Sequence, residues 1–239
     1  LVSSRLIAVI PARGGSKRIP RKNIRSFRGR PLISWVIHST LASQLFDQVI
    51  VSTDDHEIAE IAIEYGAEVP FLRSKQLSND TTGLVEVMAD AVRQLKLELT
   101  SEMMMCCVLP AAVNITAAHL RQSLSLLSQA SWPKPYCASV TKFAHPIDRA
   151  LTISQDGRLI AKHASSLNQR TQDLTEYWHD AGQFYWGSTS AWTTIPRLLE
   201  NALGFELPNW RVHDIDTKED WLRAEIASEI VMRLDALQQ

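Results

Sequence analysis

Two stretches of this chain carry residue types that could do chemistry, and they lie at opposite ends of it. The first follows the apolar run Leu6 to Ile10, where Pro11 opens a loop holding Arg13, Gly14, Gly15, Ser16, Lys17, Arg18, Lys22 and Asn23. From Arg13 to Arg30 there are eight Lys/Arg and no Asp or Glu, in a chain whose formal net charge is −1. Two glycines can turn successive backbone N–H groups toward one point, a nest that favours an anion. With Arg13, Lys17 and Lys22 added, a polyphosphate is the natural guest. Neither G-x-x-x-x-G-K-[ST] nor G-x-G-x-x-G fits the stretch, so it is not one of the two common phosphate fingerprints. A solvated basic loop or a nucleic-acid patch is the plainer alternative. The near-neutral total weakens it, and so does the position at the carboxyl end of a first strand, where open α/β sheets bind ligands.

The second stretch is Asp214-Ile215-Asp216. If Arg211-Val212-His213 is a strand, the alternation at its end points both carboxylates to one face. Two hard oxygen donors suit Mg²⁺, which takes one or two carboxylates plus substrate phosphates. The competing view is that Asp216 merely precedes a helix cap at Thr217. Taken with the basic loop, the pair has a division of labour: cations hold the outer phosphates, and a metal neutralises the phosphoryl oxygens where attack occurs.

Strands alternating with helices must bring these stretches together. Pro31 starts a helix to about Gln44, and Val49 to Ser52 is a second buried strand. Asp54 and Glu57 are spaced as a helix-opening cap, with Gly66 closing that helix. Glu68 to Phe71 is a short strand and Leu84 to Leu97 a helix; Met103 to Leu109 is the next buried strand. Thr116 caps a helix to about Gln129, Tyr136 to Thr141 is strand again, and Lys218 to about Leu237 closes the chain as a helix. The rhythm specifies an α/β fold: an open, mostly parallel sheet with helices on both faces, in one domain spanning 1–239. From about 142 to 187 the rhythm breaks into short strands around Asp156-Gly157 and a polar, aromatic segment, which predicts an inserted flap or subunit contact.

Composition sets the outer limits. At 239 residues and 45% hydrophobic, the chain is long enough for one sizeable core. Cys106, Cys107 and Cys137 are odd in number and lie in apolar runs, so they read as small buried hydrophobes in a reducing cytoplasm. The N-terminal apolar run is too short for a signal peptide or a membrane span.

Three segments carry a resemblance. IPARGGSKRIPRKN, DQVIVSTDDHEIAEIAIEYGAEVPFLR and RTQDLTEYWHDAGQFYWG resemble the acylneuraminate cytidylyltransferase family, most closely its pseudaminic acid branch, and DIDTKED resembles its C-terminal metal motif. The resemblance implies a Rossmann-like sheet of the nucleotide-diphospho-sugar transferase kind. It also implies transfer of CMP from CTP to the anomeric hydroxyl of a nine-carbon 2-keto sugar acid, with release of pyrophosphate. By position, Arg13, Gly14, Gly15, Ser16 and Lys22 match the triphosphate loop, while Asn23 and Arg73 match positions near cytosine and ribose. Asp214 and Asp216 match the Mg²⁺ pair; Arg13, Lys22 and Asp216 become the candidate catalytic groups. Arg170, Gln172, His179 and Gln183 fall in the segment that faces the sugar acid. A homodimer, with no nucleic-acid or membrane partner, completes the expectation. Phe143, Tyr185 and Trp186 read more simply as core or interface aromatics.

Two departures stand out. Relatives carry a Pro-Thr-Ser/Ala-Pro turn where this chain has Leu109-Pro110-Ala111-Ala112-Val113, and Ser or Thr where it has Leu84. The missing hydroxyls predict a relaxed base preference or a raised KM for CTP, at about 1 kcal/mol per neutral hydrogen bond. Other sugars (N-acetylneuraminate, legionaminate, an eight-carbon ulosonate), a catalytically decayed nucleotide-binding homologue and an RNA-binding module are the rival expectations.

Overall fold

The computed structural model describes residues 5–130 and 135–237. Leu6–Pro11 forms β1, Gln48–Ser52 β2, Met104–Val108 β3, Tyr136–Lys142 β4, Trp178–Ser188 β5 and Leu203–Glu206 β6. These six build one sheet in the order β6-β4-β5-β3-β1-β2. All run parallel except β5, which is antiparallel to β3 and β4. The helices are α1 (Leu32–Ala42), α2 (His56–Glu64), α3 (Leu84–Gln94), α4 (Ala117–Ser128), α5 (Thr189–Thr194) and α6 (Lys218–Leu237).

Side-chain alternation divides the core into two layers. Ala8, Ile10 and Cys106 pack on the face covered by α1, α2 and α4, with Ile37, Ile58 and Leu120. Ile7, Val9 and Cys107 pack on the opposite face with Met88, Val92 and Trp192. Consecutive residues of a strand point to opposite faces, so the adjacent cysteines are separated by the sheet itself. All three cysteines are free and buried.

Trp186 on β5 anchors the first layer. It is fully buried, stacks on Phe46 with ring centroids 5.4 Å apart, and donates its indole N–H to Ser123 Oγ at 2.9 Å. Trp186→Ala is expected to cost about 3–5 kcal/mol, read as a lowered midpoint in urea unfolding.

A third, smaller cluster decides where the site forms. Ile19, Phe27 and Leu32 pack with Val113, Ile215 and Trp221, and Phe27 meets Trp221 edge-on at 5.4 Å. This apolar contact joins the basic loop to the lead-in of α6. Burial of this kind stabilises at roughly 25 cal/mol per Å² and is non-directional, so the polar groups above it must supply the geometry.

The structure departs from the sequence expectations in four places. Arg211-Val212-His213 is not a strand: Asn209–Arg211 is a 3₁₀ turn and residues 212–216 are irregular. The Arg211 guanidinium is held by the Asp235 carboxylate and the Asn114 carbonyl, which draws the chain away from the sheet. Asp55, not Asp54, caps α2 by accepting from Ile58 N–H at 3.0 Å. Glu68 to Leu72 touches the sheet only through two isolated bridges, Ile50↔Glu68 and Thr53↔Leu72. Finally, the polar segment before Gly187 is not all excursion. It leaves the sheet after Lys142, forms the hairpin Leu151–Ile153/Leu159–Ala161, and returns at Trp178 as β5 inside the sheet.

Candidate active site

The parallel strands β1, β2 and β3 end side by side, at Pro11, Ser52 and Val108, and the loops that follow them form one rim. The basic loop is the largest. Lys22–Ile24 is a 3₁₀ turn entered through Arg21 in a left-handed conformation (φ 57°), and the Asn23 amide donates to the Arg13 carbonyl at 2.9 Å. Asn23, 5% exposed, therefore fastens the loop on itself and also lines the cleft.

Gly14 and Gly15 differ in their reasons for being glycine. Neither has a positive φ, so the nest does not depend on a left-handed residue. A Cβ on Gly14 would come within 2.6 Å of Asp55 Oδ2, whereas one on Gly15 would meet nothing within 4 Å. The Gly14 N–H is already donated to Asp54 Oδ1 at 3.0 Å. An anion bound in this loop would therefore meet its side chains more than a paired glycine nest.

Those side chains meet the acidic stretch across 194 positions of sequence. Lys22 Nζ lies 2.8 Å from the Ile215 carbonyl oxygen and 3.5 Å from Asp216 Oδ1, and Arg18 Nη2 lies 2.7 Å from Asp216 Oδ2. Ile215 is fully buried while neither neighbour is, so Asp214 and Asp216 both turn outward without any strand to align them. Partial desolvation, with the like charge of Asp216, pushes the Asp214 carboxyl above the usual carboxylate range; Lys22 opposes this. A cleft of about 300 Å³ opens between Arg13, Ser16, Lys17 and Arg18 on one side and Lys22, Asn23 and Asp216 on the other. Asp80 also lines it, 2.6 Å from Arg13 and 2.5 Å from Lys17.

Arg21 and Arg73 stand outside the cleft lining. Arg21 is committed to Asp55 at 2.5 Å and to Glu57, and those hydrogen bonds raise its pKa and lower that of Asp55. Arg73 is 5% exposed and donates from Nε to Ser78 Oγ at 3.1 Å; burial pushes its pKa down while Asp54 supports the charge. Arg73 is thus a buried cation behind the rim, close enough to feel Arg13.

A cytidylyltransferase family model matches residues 7–131. Over 225 residues the chain is 37% identical to the pseudaminic acid cytidylyltransferase of Campylobacter jejuni, which covers 94% of this chain and 96% of that protein. The chain belongs to the cytidylyltransferase family. The CMP-N,N'-diacetyllegionaminic acid synthase of Legionella pneumophila is 28% identical over 237 residues, 95% of this chain and 97% of its own. Among solved structures, CMP:2-keto-3-deoxy-manno-octonic acid synthetase complexed with CTP superposes with a TM-score of 0.67 at 17% identity, over 95% of this chain and 100% of that one. A 4-diphosphocytidyl-2C-methyl-D-erythritol synthase gives 0.66 at 12% identity, over 95% and 100%. These likenesses establish the mostly parallel α/β sheet as a cytidylyltransferase fold.

Within this cytidylyltransferase, the four residues expected at the sugar acid do not line the cationic cleft. Arg170 and Gln172 are exposed, beside or within the 3₁₀ turn Thr171–Asp173 on the excursion. His179 is exposed at the start of β5 and meets Phe143 edge-on at 4.7 Å. Phe143 is 42% exposed, so it is a surface aromatic, whereas Tyr185 and Trp186 are core residues. Gln183 is 1% exposed; its amide nitrogen donates to the carbonyls of Ala181 and Gly182, and its Oε1 has no partner. Leu84 and Leu109 both pack against the second core layer. Of the turn residues that stand where a hydroxyl is expected, Ala111 packs against the third cluster and Ala112 lies in the first layer, so these positions and Leu84 belong to separate apolar clusters.

Sequence reasoning missed Asp80, which reaches Arg13 from 67 positions away and belongs to no motif with it. It also gave no task to Arg18, whose pairing with Asp216 depends on the third core cluster.

Proposed function

We propose that this chain transfers CMP from CTP to the anomeric hydroxyl of pseudaminic acid and releases pyrophosphate. The observation that carries this is the meeting of Lys22 with Asp216 in a cleft edged by Arg13, Ser16 and Arg18, in a family member whose length matches pseudaminic acid cytidylyltransferases almost end to end. Nucleotidyl transfer from a triphosphate is mostly positioning and charge neutralisation. Arg13 and Lys22 offset the phosphate charge, Ser16 offers a hydroxyl donor, and Asn23 fixes the loop that presents them. The sugar hydroxyl is the nucleophile, so no protein nucleophile is needed. Arg73 would support the base and ribose end from its buried position. The exposed excursion residues Arg170, Gln172 and His179, which lie outside the cleft lining, are the groups proposed to meet the sugar carboxylate once substrate is bound.

The donor set suits Mg²⁺. Among the described residues no three His, Cys, Asp or Glu cluster, so the protein offers two carboxylates at most, and Mg²⁺ completes such sites with water and phosphate oxygens. Burial first, and the like charge of Asp216 second, raise the pKa of Asp214, and a bound cation would oppose both effects. Asp214 and Asp216 would hold the ion, and bound there it would offset charge on the phosphoryl oxygens. Turning to a metal requires Asp216 to give up part of its contact with Arg18.

The excursion supports a homodimer. Leu151, Ile153, Leu159 and Ile160 on its hairpin are all exposed, at 47%, 74%, 66% and 53%, a patch that a partner subunit would cover. Light scattering is expected to give about twice the mass of one chain; a monomer at micromolar concentration would contradict it. Three free, buried cysteines favour a reducing compartment and a cytoplasmic enzyme, and among the described residues no helix is long and apolar enough to cross a membrane.

The deciding experiment measures pyrophosphate release with CTP and Mg²⁺ across pseudaminate, legionaminate, N-acetylneuraminate and an eight-carbon ulosonate, with UTP beside CTP. Pseudaminate with CTP is expected to give the highest kcat/KM, and the hydroxyls missing at Leu84 and in the Leu109 to Val113 turn predict measurable turnover of UTP. Highest activity on another sugar would move the substrate assignment; CTP binding without release on any sugar would establish a decayed homologue.

A further inference from the structure

Asp80 is the acid that the fold places among the phosphate-holding cations and that the transfer chemistry leaves without a task. Its two carboxylate oxygens are divided between two cations: Oδ1 lies 2.6 Å from Arg13 Nη1, and Oδ2 lies 2.5 Å from Lys17 Nζ. Arg13 and Lys17 both line the cleft. An oxyanion bridging two cations through separate oxygens is also how a phosphoryl group would be held there. The two hydrogen bonds keep the Asp80 carboxyl below the usual carboxylate range, so it is fully anionic at neutral pH.

Asp80 sits on a short, locally knit loop ahead of α3. Asn79 Oδ1 accepts from the N–H groups of Thr81 and Thr82, both at 2.8 Å, and from both threonine hydroxyls. Asn79 Nδ2 reaches back to the Gln76 carbonyl, and Ser78 Oγ takes the Arg73 Nε hydrogen bond. The loop around Asp80 is therefore held by its own contacts and does not depend on the Asp80 side chain. Asp80 itself is exposed, so it can swing aside without opening the core.

We propose that Asp80 is an internal stand-in for a phosphate: it keeps Arg13 and Lys17 at phosphate-holding separation and must be displaced by the incoming triphosphate. This rests on the cleft being the triphosphate site. A carboxylate and a phosphoryl group cannot both sit between the same two cations, since like charges a few ångströms apart repel even through water. Asp80 therefore competes with bound nucleotide and with product pyrophosphate alike. It raises KM for CTP and speeds the departure of pyrophosphate, which would otherwise be held tightly by this many cations. Asp80 is in this sense a positioning residue, acting through Arg13 and Lys17.

The test titrates inorganic pyrophosphate by calorimetry into wild type, Asp80→Asn and Asp80→Glu, with KM for CTP measured alongside. Asn keeps the size and removes the charge; Glu keeps the charge. Asp80→Asn is expected to bind pyrophosphate about tenfold tighter, with KM for CTP falling in the same direction and the gain shrinking as salt rises. Asp80→Glu is expected to stay near wild type. Equal or weaker pyrophosphate binding by Asp80→Asn would overturn the stand-in role while leaving the cleft assignment intact. Failure of all three proteins to bind pyrophosphate would overturn the cleft assignment and the stand-in role with it.

Discussion

Lys22→Met is expected to lower kcat/KM for CTP by about 10²–10³-fold, the usual cost of removing one donor aimed at charge in the transition state. The Lys22 ammonium touches the acidic segment twice, at the Ile215 carbonyl and the Asp216 carboxylate, and is far less exposed than Arg18, the other cation on Asp216. Its loss removes the charge proposed to face the phosphates and leaves the Ile215 oxygen without that donor. The second effect is modest, about 1 kcal/mol of stability, so a small shift in melting temperature should accompany a large kinetic loss. Steady-state kinetics with CTP varied at saturating sugar acid, beside a thermal melt, separates the two. A rate within threefold of wild type would remove Lys22 from the mechanism.

The second large effect belongs to Asp216→Asn, expected to reduce turnover at least about 10³-fold and to shift the Mg²⁺ dependence of the residual rate to higher concentration. The substitution keeps the shape and one acceptor oxygen while removing the charge that a hard cation needs. It also removes the charge that faces Arg18 and Lys22, but the Arg18 side of this group is exposed and the Lys22 contact is long at 3.5 Å, so stability should move by about 1 kcal/mol or less. Mg²⁺ titration of initial rates, with urea unfolding as the control, reads both. An unchanged metal response would refute Asp216 as a metal-holding residue.

What the sequence disclosed, and what it hid, follows from the range of the interactions involved. β1, β2, β3 and β4 are legible because each is a short apolar run bounded by Pro, Gly or a polar turn, and each is covered on both faces. The cap of α2 shifts by one residue because Asp54 and Asp55 are chemically equal and only the Gly14 N–H, 40 positions away, takes Asp54 out of competition. β5 begins with the exposed Trp178, His179 and Asp180 and turns at Gly182 in a left-handed conformation (φ 59°), so its polar start masks the buried strand that follows. β6 is four residues with Gly204 in it, too short to show a period.

Strand alternation predicts that Asp214 and Asp216 share a face, but the segment is irregular: Ile215 is buried in the third core cluster with Ile19 and Trp221, both acids stay accessible, and Asp216 lines the cleft while Asp214 does not. The same cluster brings Lys22 alongside, which local pattern could not reveal. Gly14 and Gly15 were legible as a phosphate loop by composition, yet Gly14 is required for clearance from Asp55 and its N–H is already engaged. Asp80 was hidden for the opposite reason: an isolated acid in a polar loop carries no signal until the partner it reaches is known.

If Lys22 and Asp216 serve one bound triphosphate, a double-mutant cycle between them reads the coupling directly. kcat/KM for CTP is measured for wild type, Lys22→Met, Asp216→Asn and the double variant under identical Mg²⁺. Groups acting on one ligand within contact of each other are strongly non-additive, so the double variant is expected to lose at least about tenfold less than the product of the single losses. Single losses that multiply would place the two residues at independent tasks and contradict the shared site.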